Sequence, residues 1–513
     1  MEKYVRVPVI DVHKENLDEI WPLLLRAIYE SRFVALDTEL SGLGERKKLF
    51  AKSIEDRYKN LVEVAKSRSI LALGISCFQE STDGMNSNPS EGNSSDKNYN
   101  IEYQVCTFNL SVLCSQEFVV EPASLQFLIQ HGFDFNKQFS KGVLYHKGED
   151  KEPCDYAIAS VRNLFAHILA CNKPVVFHNG LLDLVFLYQN LYSDLPDKLE
   201  VFTSDVHGMF TAGVFDTKYI AEFKQREPAS YLSYIFRKCQ RYNTKTQKHI
   251  KVAFPTETIS SQWIEHLCCH EPPRQLDETS GVQICELYAA HGFCRRGADC
   301  HLSHDIDQIL DKQDKMLSKK KRKNKKRKTD RDEDETPSKK QSHGNSPIEQ
   351  KDININTSDN NAVAYDTPEI STLSNNNTAG GHRVGINDVN MNISDNDAVA
   401  HDTPQISRNN VTTGGHRAGI DAFMTGYCLA TYILLHGKHD LSNSVHGYSN
   451  LSNSELVNKM SLSGKEVPLT LACSHFAKPS LLHINKMKNI KVKMCQIRSQ
   501  NVDYNLEISK TKM

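Results

Sequence analysis

Phe33-Val-Ala-Leu-Asp37-Thr-Glu39-Leu-Ser-Gly42 is the stretch that decides the fold of this chain. Four apolar residues run without a break into Asp-x-Glu. Side chains alternate along a strand, so Asp37 and Glu39 share one face. Neighbouring carboxylates repel unless cations hold them, which makes the pair a candidate divalent-metal site. A lone Asp-x-Glu is also common at solvated strand ends, so the pair needs companions elsewhere.

Two further stretches offer them. Pro174-Val-Val-Phe-His-Asn179-Gly-Leu-Leu-Asp183 reads as a second apolar strand that gives way to a helix near Gly180, with Asp183 in the first turn. The helix dipole alone favours an acid there, but this one is embedded in leucines. The third stretch is His416-Arg-Ala-Gly-Ile-Asp421, which opens a strongly apolar helix through Leu435. A capping acid behind a linker histidine would look the same. An apolar helix must bury its face, and the simplest place is the first folded block, which is then discontinuous in sequence.

Around these stretches the periodicity predicts strands at Phe33–Leu36, Ile70–Phe78, Gln104–Leu110 and Pro174–Phe177. Helices are expected at Leu17–Tyr29, Glu55–Ser67, Ser124–His131, Ser160–Cys171, Leu181–Leu191 and Ser230–Cys239. Strands first, then alternating helix and strand, imply a mixed α/β sheet flanked by helices. Thr82–Asn98, rich in Ser, Asn, Gly and Asp, reads as a surface loop between two strands. Residues 241–280 look irregular.

The chain has 513 residues, 39% apolar, with mean hydropathy −0.50 and net charge −1. That bounds it at two or three domains with a large unstructured portion. No long apolar core marks a signal peptide, and no uncharged run approaches the ~20 residues of a membrane span. A soluble intracellular protein with reduced thiols is expected, and its 14 cysteines are first candidates for metal ligation. Residues 329–410, rich in Asn, Ser, Asp and Thr, read as a disordered linker, and 441–513 as a poorly ordered C-terminal region.

Cys285, Cys294, Cys300 and His304 are spaced C-x8-C-x5-C-x3-H. Four such ligands within twenty residues close a tetrahedral Zn²⁺ site, and so short a segment folds on its metal. The pattern, over 281–308, is that of CCCH fingers, which bind single-stranded RNA. Tyr288 and Phe293 are the aromatics available for stacking, Arg295 and Arg296 the cations for phosphates. A purely structural knuckle for protein contacts is the other reading. Cys268 and Cys269 fall outside the spacing. Lys319–Lys328 is nearly all basic and reads as a nuclear localisation signal addressed to the import machinery, with RNA phosphates as further partners.

Taken together, Asp37, Glu39, Asp183, His416 and Asp421 resemble the DEDDh 3′ exonucleases, and among them the poly(A)-specific ribonuclease (CAF/PARN-like) family. The resemblance covers much of residues 5–240 and 415–436. It rests on Asp37-Thr-Glu-Leu-Ser-Gly-Leu-Gly, Phe127-Leu-Ile-Gln-His-Gly-Phe, Asp216-Thr-Lys-Tyr and Ala422-Phe-Met-Thr-Gly-Tyr. It implies an RNase H-like sheet over 1–240 plus 411–440, with the finger and linker inserted. It also implies two Mg²⁺ ions, ~3.5–4 Å apart, held by Asp37, Glu39, Asp183 and Asp421, with His416 as general base. An unperturbed histidine pKa of about 6.5 suits that task. Asn179 is a weaker candidate for positioning substrate, and Asp216 is given a structural part. The implied substrate is RNA with an adenylated or oligo-tailed 3′ end, small nuclear RNA included, in the nucleus, with nucleolus, Cajal bodies or speckles as sites. No membrane partner is implied.

A duplication tests the choice of histidine. Gly380-Gly-His-Arg-Val-Gly-Ile recurs as Gly414-Gly-His-Arg-Ala-Gly-Ile. The first copy ends in Asn387, a poor metal ligand, and no apolar helix follows it. His382 and Asn387 are read as a decoy, His416 and Asp421 as the working pair. Two rivals to the exoribonuclease remain at this point: a catalytically idle RNA-binding adaptor built on the finger, and a DNA exonuclease. Idle members usually lose an acid, and the finger argues against DNA.

Overall fold

The computed structural model describes residues 6–81, 101–150, 155–246, 250–255, 260–269, 283–332, 417–436, 455–474 and 476–495. The chain divides into two units, Met1–Lys319 with Val411–Met513, and Lys320–Asn410. Of the second, only a helical stretch up to Asp332 is described; it continues the helix Ile306–Asp332 and carries most of the basic run. The Thr82–Asn98 loop, the rest of the 329–410 linker and the decoy histidine lie outside the described residues.

Among the described residues, eleven strands form the sheet of the first unit: β1 (Val7–Val12), β2 (Phe33–Leu40), β3 (Ile70–Glu80), β4 (Ile101–Cys114), β5 (Val143–Tyr145), β6 (Val175–Phe177), β7 (Val214–Asp216), β8 (Ile250–Ala253), β9 (Ile264–Leu267), β10 (Lys459–Met460) and β11 (Leu469–Thr470). Their order is β11-β10-β7-β6-β2-β3-β4-β1-β9, with β5 and β8 pairing with β4. At the centre, β2 runs parallel to β6, and β6 to β7, while β3 is antiparallel to both β2 and β4. The series β4-β3-β2-β6-β7, with one reversed strand, is the RNase H-like mixed sheet.

Alternation along β2 feeds two separate cores. Val34 and Leu36 pack with the helices Leu17–Glu30, Ile54–Ser67, Val161–Ala170 and Leu181–Leu187 on one face. Phe33 and Ala35 pack on the other with Leu232–Lys245 and Ala418–His436. Asp37 and Glu39 continue the second register, and Thr38 the first. The late apolar helix therefore does return to the sheet, as its composition requires. It is long and apolar enough to cross a membrane by composition, but Ala418–Tyr432 are buried against protein.

Three stretches differ from the sequence reading. Within the irregular 241–280, β8 and β9 are strands of four residues each, too short to show a period, and both pair on the β4/β1 side. The helix Leu232–Lys245 runs past the expected end at Cys239. The C-terminal region, expected to be poorly ordered, is folded over 455–474 and 476–495: β10 extends the sheet beyond β7, and residues 481–495 form a helix. Its inward stripe of His483, Met487, Ile490 and Met494 follows the helical period, but lysines between these positions mask it in composition.

Candidate active site

Asp37 sits opposite Gly74 in the β2/β3 register, and Gly74 opposite Asn109 in β3/β4. This row is where the helix Ala418–His436 lands. A Cβ on Gly74 would lie 1.9 Å from the Ala418 carbonyl oxygen, so only glycine admits so close an approach. Asn109 Oδ1 accepts the Gly419 N–H at 3.2 Å, fixing the first turn of the helix over the row. Asp421, one turn on, is thereby brought to Asp37 and Glu39. One carboxylate oxygen from each of the three lies within 4.8 Å of the others.

Asp183 reaches the cluster from the opposite face. Thr38, the residue between the two acids of β2, donates its hydroxyl to Asp183 Oδ1 at 2.6 Å. Asp183 is not among the three that converge within 4.8 Å, yet its charge bears on Asp37. Burial first, then repulsion from Asp421, Asp183 and Glu39, pushes the Asp37 carboxyl well above the usual range. Burial likewise raises Asp183 to about 6, against the pull of the Thr38 hydroxyl. Two like charges 4.8 Å apart cost about 3–4 kcal/mol at an effective dielectric near 20. Among the described residues neither Asp37 nor Asp183 forms an ion pair. Crowded hard oxygen donors of this kind fit divalent cations of the Mg²⁺ type.

The loop that presents Asp183 is built by Asp216. Its buried carboxylate accepts backbone N–H bonds from Asn179 and Lys218 at 2.9 Å, Tyr219 at 3.4 Å and Ser461 at 2.9 Å. Asn179 is held there with φ +63°, its side chain exposed. Asp216 is thus a loop anchor, as the sequence reading held. His416 lies outside the described residues. Its neighbour Arg417 contacts Glu265 of β9 at 2.6 Å, and the same glutamate lies 3.5 Å from Lys137. Gly74, Asn109, Thr38 and Glu265 escaped the sequence reading. The first two are legible only once the strand register is known.

The finger forms a second centre. Ligand atoms of Cys285, Cys294, Cys300 and His304 lie within 4.8 Å of one another. The Arg296 backbone N–H, directed at Cys294, holds that thiol below its ordinary range, while burial raises Cys285. Three thiols and an imidazole fit Zn²⁺. Cys269 is buried in the sheet core, away from this set. The Tyr288 ring lies flat on His304 (4.3 Å between centroids, 4° between planes) and meets the Tyr231 ring edge-on. Phe293 is exposed.

Residues 12–160 and 156–429 match the sequence model of the CAF1 family ribonucleases. This chain belongs to that family. An uncharacterized protein of Schizosaccharomyces pombe is 31% identical over 137 residues, 26% of this chain and 30% of its own length. The poly(A)-specific ribonuclease PARN of Xenopus laevis is 26% identical over 147 residues, 28% of this chain and 22% of its own. The aligned part thus spans under a third of either relative. Among solved structures, that of S. pombe Pop2p in its Mg²⁺- and Mn²⁺-bound form aligns at 19% identity and a TM-score of 0.33, over 46% of this chain and 84% of that one.

Proposed function

We propose that the protein is a metal-dependent 3′→5′ exoribonuclease that trims adenylated or oligo-tailed RNA ends in the nucleus. The observation that carries this reading is the convergence of Asp37, Glu39 and Asp421 beside Asp183, inside a chain of a ribonuclease family. Asp37, Glu39, Asp183 and Asp421 hold the ions. Two divalent cations held there would supply an activated water and charge relief at the leaving 3′ oxygen. His416 would be the base that accepts a proton from the attacking water on an imidazole nitrogen. Gly74 and Asn109 set the height of Asp421 over β2, and Asp216 sets the loop that delivers Asp183. The finger holds Zn²⁺ and contacts RNA through Phe293, Arg295 and Arg296.

The finer reading is a zinc-finger deadenylase resembling target of early growth response protein 1, engaged in small nuclear RNA 3′-end processing. It rests on the finger, the Lys319–Lys328 run as an import signal, and the phrases around Asp37, Phe127, Asp216 and Ala422.

The test is incubation in Mg²⁺ of the full chain with 5′-labelled RNAs ending in A, U or mixed sequence, and with DNA. Stepwise shortening of RNA, lost in Asp37→Ala/Glu39→Ala, is the expected result. No shortening by the wild type would sink the reading in favour of an RNA-binding adaptor. Activity surviving His416→Ala but lost in His382→Ala would reverse the choice between the two copies.

A further inference from the structure

Beyond the acid centre and the finger, one surface stands out. No acidic residue occurs between Glu466 and Asp503, a stretch that contains Lys478, Lys486, Lys488, Lys491, Lys493 and Arg498. The helix over 481–495 lies within this stretch, and the rest of the fold locks it in place. Asp205 accepts the Ser480 N–H at 2.7 Å and its hydroxyl at 2.8 Å, and Tyr192 Oη lies 2.9 Å from His483 Nδ1. Two lysines are turned inward. Lys486 pairs with Asp150 at 2.7 Å, and Lys493 lies over the Tyr156 ring at 5.6 Å.

The outward side carries the rest. Leu481, Ile484, Lys488, Lys491 and Val492 recur at helical spacing and are exposed, as is Lys478 just before the helix. Among the described residues Lys478, Lys488 and Lys491 form no ion pair. Phe476 is 95% exposed and Leu481 77%. Leu481, Ile484 and Val492 thus place exposed apolar groups between the lysines of this face. Cations for a backbone, interleaved with flat or apolar groups for bases, are the composition of a single-strand platform.

The location suits such a use. Tyr192, on which the helix is anchored, ends the helical run that begins beside Asp183 (Leu181–Leu187, then Tyr188–Tyr192). At 1.5 Å per residue the rise from Asp183 to Tyr192 is about 14 Å. A strand whose 3′ end lies at the acids can therefore reach this surface a few nucleotides upstream.

We propose that the outward face of the 481–495 helix, with Phe476 and Lys478, is a binding surface for the single-stranded RNA upstream of the 3′ end. The choice of RNA as the polyanion rests on the exoribonuclease reading above.

The test uses the full chain carrying Asp37→Ala/Glu39→Ala, so that bound RNA stays intact. Anisotropy of a 5′-labelled long single-stranded RNA is titrated against salt, with and without Lys478→Gln/Lys488→Gln/Lys491→Gln, and separately with Phe476→Ser. All four side chains are exposed, so melting temperatures should be unchanged, and this is checked. The triple variant should bind about tenfold or more weakly and lose about two units of the log–log salt slope, at ~0.7 per phosphate contact on a single strand. Phe476→Ser should weaken binding about tenfold without changing the slope. A labelled dinucleotide, too short to reach the helix, should bind all forms alike. Unchanged affinity and slope for the long RNA would overturn the proposal. So would an unchanged RNA affinity together with lysine-dependent capture of a polyglutamate peptide, which would assign the face to an acidic protein. Loss of the proposal would leave RNA shortening by the wild type intact, whereas failure of the nuclease reading would show as no shortening while the anisotropy result stood.

Discussion

At the scale of single residues, the site is under electrostatic strain that its ions would relieve. Asp37 carries the heaviest share, facing burial and three other acids. Asp37→Asn should therefore raise stability in EDTA by roughly 1–3 kcal/mol, a few degrees in melting temperature, while abolishing RNA shortening. Adding Mg²⁺ should raise the melting temperature of the wild type and leave that of the variant nearly still. A variant no more stable than wild type in EDTA would mean that the four acids do not repel as their positions imply. His178 gives the acid limb of stability. Burial, with Lys218 adding to it, lowers its pKa to about 3, and Nδ1 lies 2.9 Å from the Thr217 hydroxyl. In the unfolded chain it titrates near 6.5. Between these values the unfolded state binds the extra proton, so stability present at pH 7 is lost as pH falls from about 6.5 toward 3. The slope from this one group is at most about 1.4 kcal/mol per pH unit. His178→Gln should flatten the fall in urea midpoint between pH 7 and pH 5.

At the scale of elements, the decisive event is the landing of a helix on a strand. Gly74→Ala would force a Cβ against the Ala418 carbonyl, and overpacking of this kind costs roughly 1–3 kcal/mol or more. The expected signature is a lowered urea midpoint and a loss of activity beyond what the stability loss explains, because Asp421 shifts with the helix. Asn109→Ala, which removes only the Gly419 bond, should act in the same sense by about 1 kcal/mol. How much of this was legible in the sequence depends on range. Asp37 and Glu39 were readable because one strand places both on one face. Asp183 and Asp421 were readable as acids at helix starts, and family resemblance joined them to the pair. Gly74 and Asn109 look ordinary in sequence; their meaning arises only when three strands are in register. β8 and β9 were lost because four residues give no period. The 481–495 helix was lost because lysine stems interrupt its apolar stripe.

At the scale of the whole first unit, the finger is fastened to the sheet rather than hung beside it. Arg237 holds Asp307 through two bonds of 2.8 and 3.1 Å, and Arg241 contacts Asp311 at 2.5 Å and Asp314 at 3.3 Å. Ile309 and Leu310, which follow the last ligand, are buried in the same core as Tyr234 and Tyr427. The ring of His304 lies on Tyr288, which meets Tyr231 at the head of the helix Leu232–Lys245. That helix packs on Ala418–His436: Asn243 donates to the Tyr427 hydroxyl at 3.1 Å and to the Thr431 hydroxyl at 3.0 Å. A continuous packed path therefore joins the zinc ligands to the helix that carries Asp421. A segment as short as the finger folds only with its metal, so losing zinc should cost the sheet the buried contacts of Ile309 and Leu310 as well. Removing zinc with a chelator that spares Mg²⁺, or by Cys294→Ser, should lower the melting temperature of the exonuclease core in a single shared transition. Arg237→Ala should shrink that drop, because a loosened finger can melt alone. An unmoved core transition in the zinc-free protein would show instead that the two centres fold independently, despite the contacts between them.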